Sequence, residues 1–322
     1  MAAVLCYSTC LMANTAVSQE TDTDLFIKKL RAYLMKNAVK PEISGGGFYN
    51  SFKFNSTNGN LYNRYNGHSS FGSLGANNFE WRDFIAGLSI SNIETAIDAE
   101  TQLAPTVNQN NNTKIGNAAL NVYVSRLLFN AVYTSVFAGY GHSEFGVNST
   151  ITDPTTTTAA SYGSAYFSGN NNYIGARTMY MYPYRKFLLQ GGLGYVYSSF
   201  FQPAYDIVYN NRPSSNVAAL TTRIGILTEN IRIDYRNIDH VVPYLDLGLL
   251  QVVNRSYSNT SINASTSSAL PQLTLANNGF FVGAGLAYTQ KHFRVTPYYQ
   301  FVQRTSSFTS NLGGVRVDFI CG

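Results

Sequence analysis

The sequence is poor in charge, although it is not correspondingly rich in apolar residues. Charged residues make up 12% of the 322 residues, about half of the ~25% that is typical of soluble globular domains. Hydrophobic residues reach only 45%, and the 24 Tyr and 20 Phe are a large part of them. Asn, Ser, Thr and Gly fill the remainder, so the composition departs from that of an ordinary soluble domain.

Cysteine, histidine and clustered basic residues are also scarce. Cys6 and Cys10 lie in an N-terminal segment that resembles an export signal, and its removal would leave Cys321 alone. A single cysteine excludes an intrachain disulfide and a metal site built on cysteines. We predict no metal site and no cofactor. The net charge of +5 is modest and includes no block of Lys and Arg, which argues against nucleic-acid binding.

Long apolar runs suited to a membrane-spanning helix are missing as well. Such a helix needs roughly 18 or more consecutive apolar residues. The nearest candidate, residues 187–205, carries no charge but contains Gly191, Gly192, Gly194 and Pro203. These residues weaken a helix, and the intervening Tyr and Val residues favour a strand.

Strict alternation of apolar and polar residues is what the sequence does contain. Near the C-terminus, Val315, Val317 and Phe319 alternate with Arg316 and Asp318. Successive side chains of a strand point to opposite faces, so one face is apolar and the other charged. Because an Arg facing lipid at mid-membrane costs about 2–4 kcal/mol, a membrane barrel would turn the charged face toward its lumen. The lumen-facing residues predicted in this way are Arg232, Asp234, Arg236, Asp246, Arg294, Arg316 and Asp318.

The same alternation, bounded by turn residues, predicts twelve strands. An even number of strands is expected of a bacterial single-chain outer-membrane barrel. The predicted fold is therefore an all-β, transmembrane antiparallel barrel of about twelve strands with one short N-terminal amphipathic helix. The strands are predicted near 46–56, 61–73, 79–94, 113–127, 129–147, 168–183, 186–201, 217–239, 241–257, 277–290, 292–304 and 311–319.

Loop lengths assign a side of the membrane to each connection, since such barrels have short periplasmic turns and longer external loops. If the C-terminus is periplasmic, counting the strands backward from it places the long connections on the external side and the short ones on the periplasmic side. This holds provided that 217–239 is one long, bulged strand. The Asn-rich and Thr-rich stretches are interpreted as solvated loops. The predicted external connections are 57–60, 95–112, 148–167, 202–216, 258–276 and 305–310, and the periplasmic ones are 74–78, Leu128, 184–185, His240 and Lys291.

The N-terminal region divides into two predicted segments ahead of the barrel at 44–322. Residues 1–18 form a weak signal peptide, with small residues before Gln19. Residues 19–43 contain an amphipathic helix, in which apolar residues from Leu25 to Ala38 recur at helical spacing and lysines occupy the other face. This helix either packs at the barrel mouth or enters the lumen, where Asp residues could meet its lysines.

This organisation resembles the translocator domain of classical autotransporters. It consists of one N-terminal helix followed by twelve strands, and the last strand closes the barrel and ends in an aromatic residue. The resemblance rests on the Gly-rich and Tyr-rich segments 190–197 and 280–288 and on the terminal segment 313–319. It implies a pore or a secretion and surface-display barrel, without a passenger, in the outer membrane of a Gram-negative bacterium. Implied partners are the lipid bilayer, lipopolysaccharide, periplasmic chaperones and the barrel assembly machinery. That machinery would recognise Val315, Val317 and Phe319.

Catalysis finds little support among the four histidines. His142 lies beside Ser143 and Glu144, but neighbours on a strand point to opposite faces, so Ser143 cannot easily reach the ring. We predict no catalytic residue. Two alternatives remain open: a surface adhesin-like β-protein built as a sandwich or β-helix, and an outer-membrane hydrolase that uses His142.

Overall fold

Twelve long strands account for most of the structure, a computed structural model. It describes residues 41–58, 61–82, 84–128, 132–153, 155, 159–238, 240–257, 262–263, 278–304 and 308–321. The predicted signal peptide and most of the predicted helical segment, residues 1–40, lie outside the described residues. The described part of the chain contains no helix that is long and apolar enough to cross a membrane. The strands are β1 Glu42–Asn58, β2 Leu61–Trp81, β3 Phe84–Ala104, β4 Val107–Leu128, β5 Val132–Thr152, β6 Ser161–Tyr184, β7 Phe187–Gln202, β8 Tyr205–Tyr209, β9 Ser215–Val217, β10 Leu220–Tyr235, β11 Val241–Tyr257, β12 Ile262–Asn263, β13 Asn278–Gln290, β14 Phe293–Arg304 and β15 Phe308–Ile320.

The long strands close into an antiparallel barrel. Each pairs with the next long strand along the chain, and β1 pairs with β15 from Glu42 opposite Ile320 to Phe54 opposite Phe308. At one end of the barrel, β8 pairs with the first residues of β6, which lie beyond its pairing with β7. Strand β9 pairs with β8, and β12 pairs with β9. Closure confirms the predicted twelve-stranded barrel and excludes a sandwich or a β-helix.

The two ends of the barrel differ in their connections. At the end that holds both termini of the barrel, which we call the terminus rim, consecutive strands are connected by residues 82–83, 129–131, 185–186, 236–240 and 291–292. At the opposite end, the loop rim, the connections are 59–60, 105–106, 153–160, 203–219, 258–277 and 305–307. The longest connections therefore share one rim, as predicted. The predicted single strand at 217–239 is also confirmed as β10, and its pairing with β11 shifts register between Gly225 and Ile226.

Two predicted connections are wrong because strands continue through them. The predicted loop at 95–112 is strand except for a turn at Pro105 and Thr106, since β3 and β4 pair almost to their ends. The predicted turn at 74–78 is a bulge in β2 between Ala76 and Phe79, where Asn78 has a φ of 63°. The asparagines at 108–112 and 170–172 likewise lie in β4 and β6 rather than in solvated loops.

The outer wall of the barrel is apolar over the half nearest the terminus rim. Val122, Leu249 and Ile231 are 48%, 49% and 59% exposed, and exposed apolar surface of this extent marks contact with a membrane or a partner. Glu229 interrupts this surface, since it shares the outer face of β10 with Leu227 and Ile231. Aromatic side chains border the apolar surface in two rings, which is typical of membrane barrels. The outward aromatic residues are Trp81, Tyr180, Tyr182, Tyr184, Phe187 and Phe319 near the terminus rim, and Tyr49, Tyr140, Tyr195 and Tyr299 farther up.

Beyond the upper ring the wall continues as a polar extension. Strands β2 to β6 are 21 to 24 residues long, whereas about 9–11 tilted residues are enough to cross a bilayer. In β3, apolar side chains point outward at Leu88 and Ile90 but inward at Ile93 and Ile97, while Asp98 faces out. The inversion within one strand marks the level at which the outer surface changes from apolar to polar.

Candidate functional site in the barrel lumen

The seam between the first and last strands carries four charged side chains, Glu42, Arg294, Arg316 and Asp318, which we call the seam cluster. Arg294 donates from Nε and Nη2 to Oδ2 of Asp318 at 2.9 and 2.6 Å. Arg316 donates from Nε to Oδ1 at 2.7 Å, and its Nη2 lies 2.6 Å from the same oxygen. Glu42 lies 3.6 Å from Arg294 and 3.5 Å from Arg316, so the cluster joins β1, β14 and β15.

The register and pleat of the strands explain this arrangement. Arg294 and Asp318 lie directly opposite each other on β14 and β15. Arg316 and Asp318 are two residues apart and therefore share the inner face. All four side chains are at most 7% exposed. Charges this deeply buried are stable only when they are paired and hydrogen-bonded.

A second charged group lies farther around the inner wall, near the terminus rim. We call it the β10 cluster. Asp234 accepts hydrogen bonds from Gln190 Nε2 at 2.6 Å and from Arg232 Nε at 2.8 Å. Asn230 donates to Asp246 at 3.0 Å and accepts from Arg177 at 3.2 Å, and these contacts extend the group from β6 to β11.

The charges of the two clusters balance. The seam cluster combines two arginines with two carboxylates, and the β10 cluster combines Arg177 and Arg232 with Asp234 and Asp246. Of the seven residues predicted from the alternation, six are at most 6% exposed on the inner wall. The seventh, Arg236, is half-buried and follows the end of β10, where its backbone N–H donates to Lys186 at 2.8 Å.

Sequence reasoning missed four members of these clusters, Glu42, Gln190, Arg177 and Asn230. Glu42 could have been found, because it is an even number of residues from the inward Phe48 and Phe52 on β1 and therefore shares their face. The predicted strand began at residue 46, too late to include it. Gln190 and Arg177 have the correct parity on β7 and β6, but neither lies in a run of alternating charge.

Above the clusters, a row of small polar side chains crosses the inner wall from β1 to β6. Ser310 donates to Asn50 at 2.6 Å, and the hydroxyls of Ser69 and Thr95 are 2.9 Å apart. Asn117 donates to Ser143 at 2.7 Å and to Asn171 at 2.9 Å. These side chains form hydrogen bonds to one another across neighbouring strands, as most buried polar groups do.

The inner wall toward the loop rim is lined by aromatic and aliphatic side chains, which we call the apolar collar. No member is more than 6% exposed, and all belong to one contiguous hydrophobic cluster. Neighbouring rings are in contact: the centroids of Phe54 and Tyr65 are 5.4 Å apart, and those of Phe145 and Phe200 are 5.7 Å apart. The collar consists of Phe52, Phe54, Tyr65, Ile97, Ile115, Phe145, Phe200, Ile224 and Phe308.

A short hairpin of β8 and β9 packs beside the collar at the loop rim. Tyr205 stacks on Phe167 with the ring centroids 3.9 Å apart, and Phe167 stacks in turn on Phe145 at 4.7 Å. Burial raises the pKa of Tyr205 to about 12. A phenol is neutral at physiological pH and burial makes this one harder to ionise, so the hairpin adds uncharged aromatic surface next to the collar.

His142, the candidate base of a hydrolase, does not form a catalytic group with its neighbour. Its ring is exposed on the outer face of β5, where Nδ1 lies 2.9 Å from Oδ1 of Asn170. Ser143 is fully buried on the inner face and accepts a hydrogen bond from Asn117. The wall of the barrel thus separates the imidazole from the hydroxyl.

The three residues predicted as an assembly signal lie on the outer face of the closing strand. Val315 is 43% exposed and Phe319 is 59% exposed, while Val317 between them is half-buried. Phe319 ends the apolar stripe beside the terminus rim, one residue before β15 ends at Ile320.

Comparison with known proteins finds likeness in structure but not in sequence. No family model matches the chain, and no curated protein matches it in sequence. The translocator domain of autotransporter NalP from Neisseria meningitidis superimposes with a TM-score of 0.68 at 12% identity, covering 95% of this chain and 98% of that one. This is the autotransporter translocator fold.

Two further structures extend the comparison. The β domain of the Bordetella autotransporter BrkA gives a TM-score of 0.57 at 12% identity, over 86% of this chain and 98% of that one. The Pseudomonas putida toluene transporter TodX gives 0.52 at 8% identity, over 89% and 91%. The resemblance inferred from the sequence is thus confirmed as a likeness of fold. The named neighbours are translocator domains and a transporter rather than enzymes.

Proposed function

We propose that the protein is an integral outer-membrane β-barrel of a Gram-negative bacterium and that its lumen is a passage across that membrane, with no catalytic role. The observation that carries this proposal is the closed wall, apolar outside and lined inside by paired charges near the terminus rim. Such a wall satisfies every backbone group without an open edge, as a lipid environment demands. The likeness to translocator domains and to a toluene transporter supports a conducting or secreting role.

In this proposal the terminus rim faces the periplasm and the loop rim faces outward, toward lipopolysaccharide. Short turns at one rim and long loops at the other are the arrangement of bacterial barrels. Periplasmic chaperones and the assembly machinery would deliver the chain to the membrane. That machinery would recognise the outer face of β15, through Val315, Val317 and Phe319.

Planar-bilayer recording tests whether the lumen is a passage. We expect the full chain and the chain that lacks residues 22–40 each to carry a small ionic current. The deletion removes the predicted amphipathic segment but leaves every strand from Glu42 onward. Because both charged clusters are balanced, the current should show little preference between cations and anions. Absence of current from both chains, with folding verified by heat-modifiable gel mobility, would contradict the passage.

A further inference from the structure

The apolar collar has no counterpart in a water-filled pore, whose lining is polar. Its members come from eight of the twelve long strands, β1, β2, β3, β4, β5, β7, β10 and β15, and Leu250, Phe281 and Val302 of the same hydrophobic cluster continue it across β11, β13 and β14. Because none is more than 6% exposed, no water-lined passage runs along these side chains in this conformation. Hydrophobic constrictions of this kind exclude water and thereby close a pore to ions.

The arrangement along the lumen separates two environments. Near the terminus rim a solute would meet the charges of Asp234 and Asp318, whereas near the loop rim it would meet Phe145, Phe200 and Ile224. Most side chains at this level are apolar, although Arg304 and Thr222 are buried beside Phe308 and Phe200, so a hydrated ion loses more water contacts than it gains polar partners. An uncharged apolar solute gains from the same contacts, since burial of apolar surface is favourable at about 25 cal/mol per Å².

We propose that the apolar collar is the permeability barrier of the barrel and restricts passage to small, uncharged, apolar solutes. The inference rests on the proposed passage and specifies which class of solute it admits. The charged clusters below the collar then stabilise the wall rather than select ions, in keeping with their balanced charge.

The test is to make the collar polar in the full chain and record ionic current. Phe145→Ser combined with Phe200→Ser removes two rings that contact each other on the inner wall. We expect a current about tenfold or more above that of the native chain, because a polar lining admits water. Ile115→Thr combined with Ile224→Thr gives a second variant that keeps β-branched side chains and removes less volume than the serine variant, in case that variant folds poorly.

The matched control removes two aromatic residues from the outer face at the same rim. Tyr162 and Tyr166 are 60% and 83% exposed on β6, so Tyr162→Ser combined with Tyr166→Ser should leave the current at its native value. If the native chain carried a current as large as that of both collar variants, the collar would not be a barrier, although the lumen would still be a passage. No current from any of the folded chains would overturn the passage, and the barrier with it.

Uptake by intact Gram-negative cells tests the class of solute. We expect the native barrel to accelerate uptake of the apolar dye N-phenylnaphthylamine, and to leave unchanged the rate at which a periplasmic β-lactamase hydrolyses the charged substrate nitrocefin. The collar variants should raise the nitrocefin rate, whereas the outer-face control should not. Faster nitrocefin hydrolysis with the native barrel, or no effect of it on dye uptake, would overturn the proposed solute class.

Discussion

Replacing Asp318 with asparagine is expected to lower the free energy of unfolding by about 3–5 kcal/mol, because removal of one partner leaves buried charges uncompensated. Asp318 is fully buried and is bound by both Arg294 and Arg316. In the variant only Glu42 would remain to balance them, at 3.5–3.6 Å. Urea unfolding from lipid vesicles, followed by the fluorescence of the single tryptophan, Trp81, measures the change.

Two companion variants provide a scale for this effect. Glu42→Gln removes the more distant carboxylate and should cost less, about 1.5–3 kcal/mol. Asp98→Asn removes an exposed carboxylate of β3 that accepts one hydrogen bond, from Asn112 at 2.7 Å, and should cost at most about 0.5 kcal/mol. Equal unfolding midpoints for the Asp318 and Asp98 variants would show that the seam cluster does not hold the first and last strands together.

Replacing Ile231 with arginine is expected to cost about 2–4 kcal/mol, the penalty for a cation on the lipid face near the middle of a membrane barrel. Ile231 is 59% exposed and pairs with Leu247 on β11 and Gly191 on β7. On a soluble protein, so exposed a position would accept arginine at almost no cost. The same urea titration of Trp81 fluorescence reports the difference.

Matched variants separate the effect of lipid from that of charge. Ile231→Leu retains an apolar side chain and should unfold at the native midpoint. Ser164→Arg places the same cation on the exposed outer face of β6 in the polar extension, and should cost at most about 0.5 kcal/mol. If the Ile231 and Ser164 arginine variants were equally stable, the outer wall would not be in lipid.

The fold could be predicted from the sequence because alternation and loop length are independent signals that agree. Charges at Arg232, Asp234, Arg316 and Asp318 determined which face turns inward, and each connection was then assigned to a rim. Strand boundaries failed where composition suggested a loop. The asparagines at 108–112 have low intrinsic β-propensity, but pairing on both sides by β3 and β5 holds them in a strand.

The apolar collar could not be predicted in the same way, because apolar residues were assigned to the lipid face throughout. That rule holds at Leu88 and Ile90 but reverses at Ile93 and Ile97 in the same strand. Alternation alone shows that two faces differ and does not show which one is inside. The signal for the reversal was the appearance of Asp98 and Glu100 at the positions that would otherwise face lipid.

The central claim, that the lower outer wall lies in lipid and the upper wall does not, is tested most directly by lipid quenching along β4. Single cysteines at Val122, Asn121 and Asn110, in a chain whose three native cysteines are replaced by serine, would carry bimane in vesicles with nitroxide-labelled acyl chains. We expect strong quenching at Val122, which is outward and 48% exposed. Quenching should be weak at the inward Asn121 and at Asn110 in the polar extension. Equal quenching at Val122 and Asn110 would contradict the account.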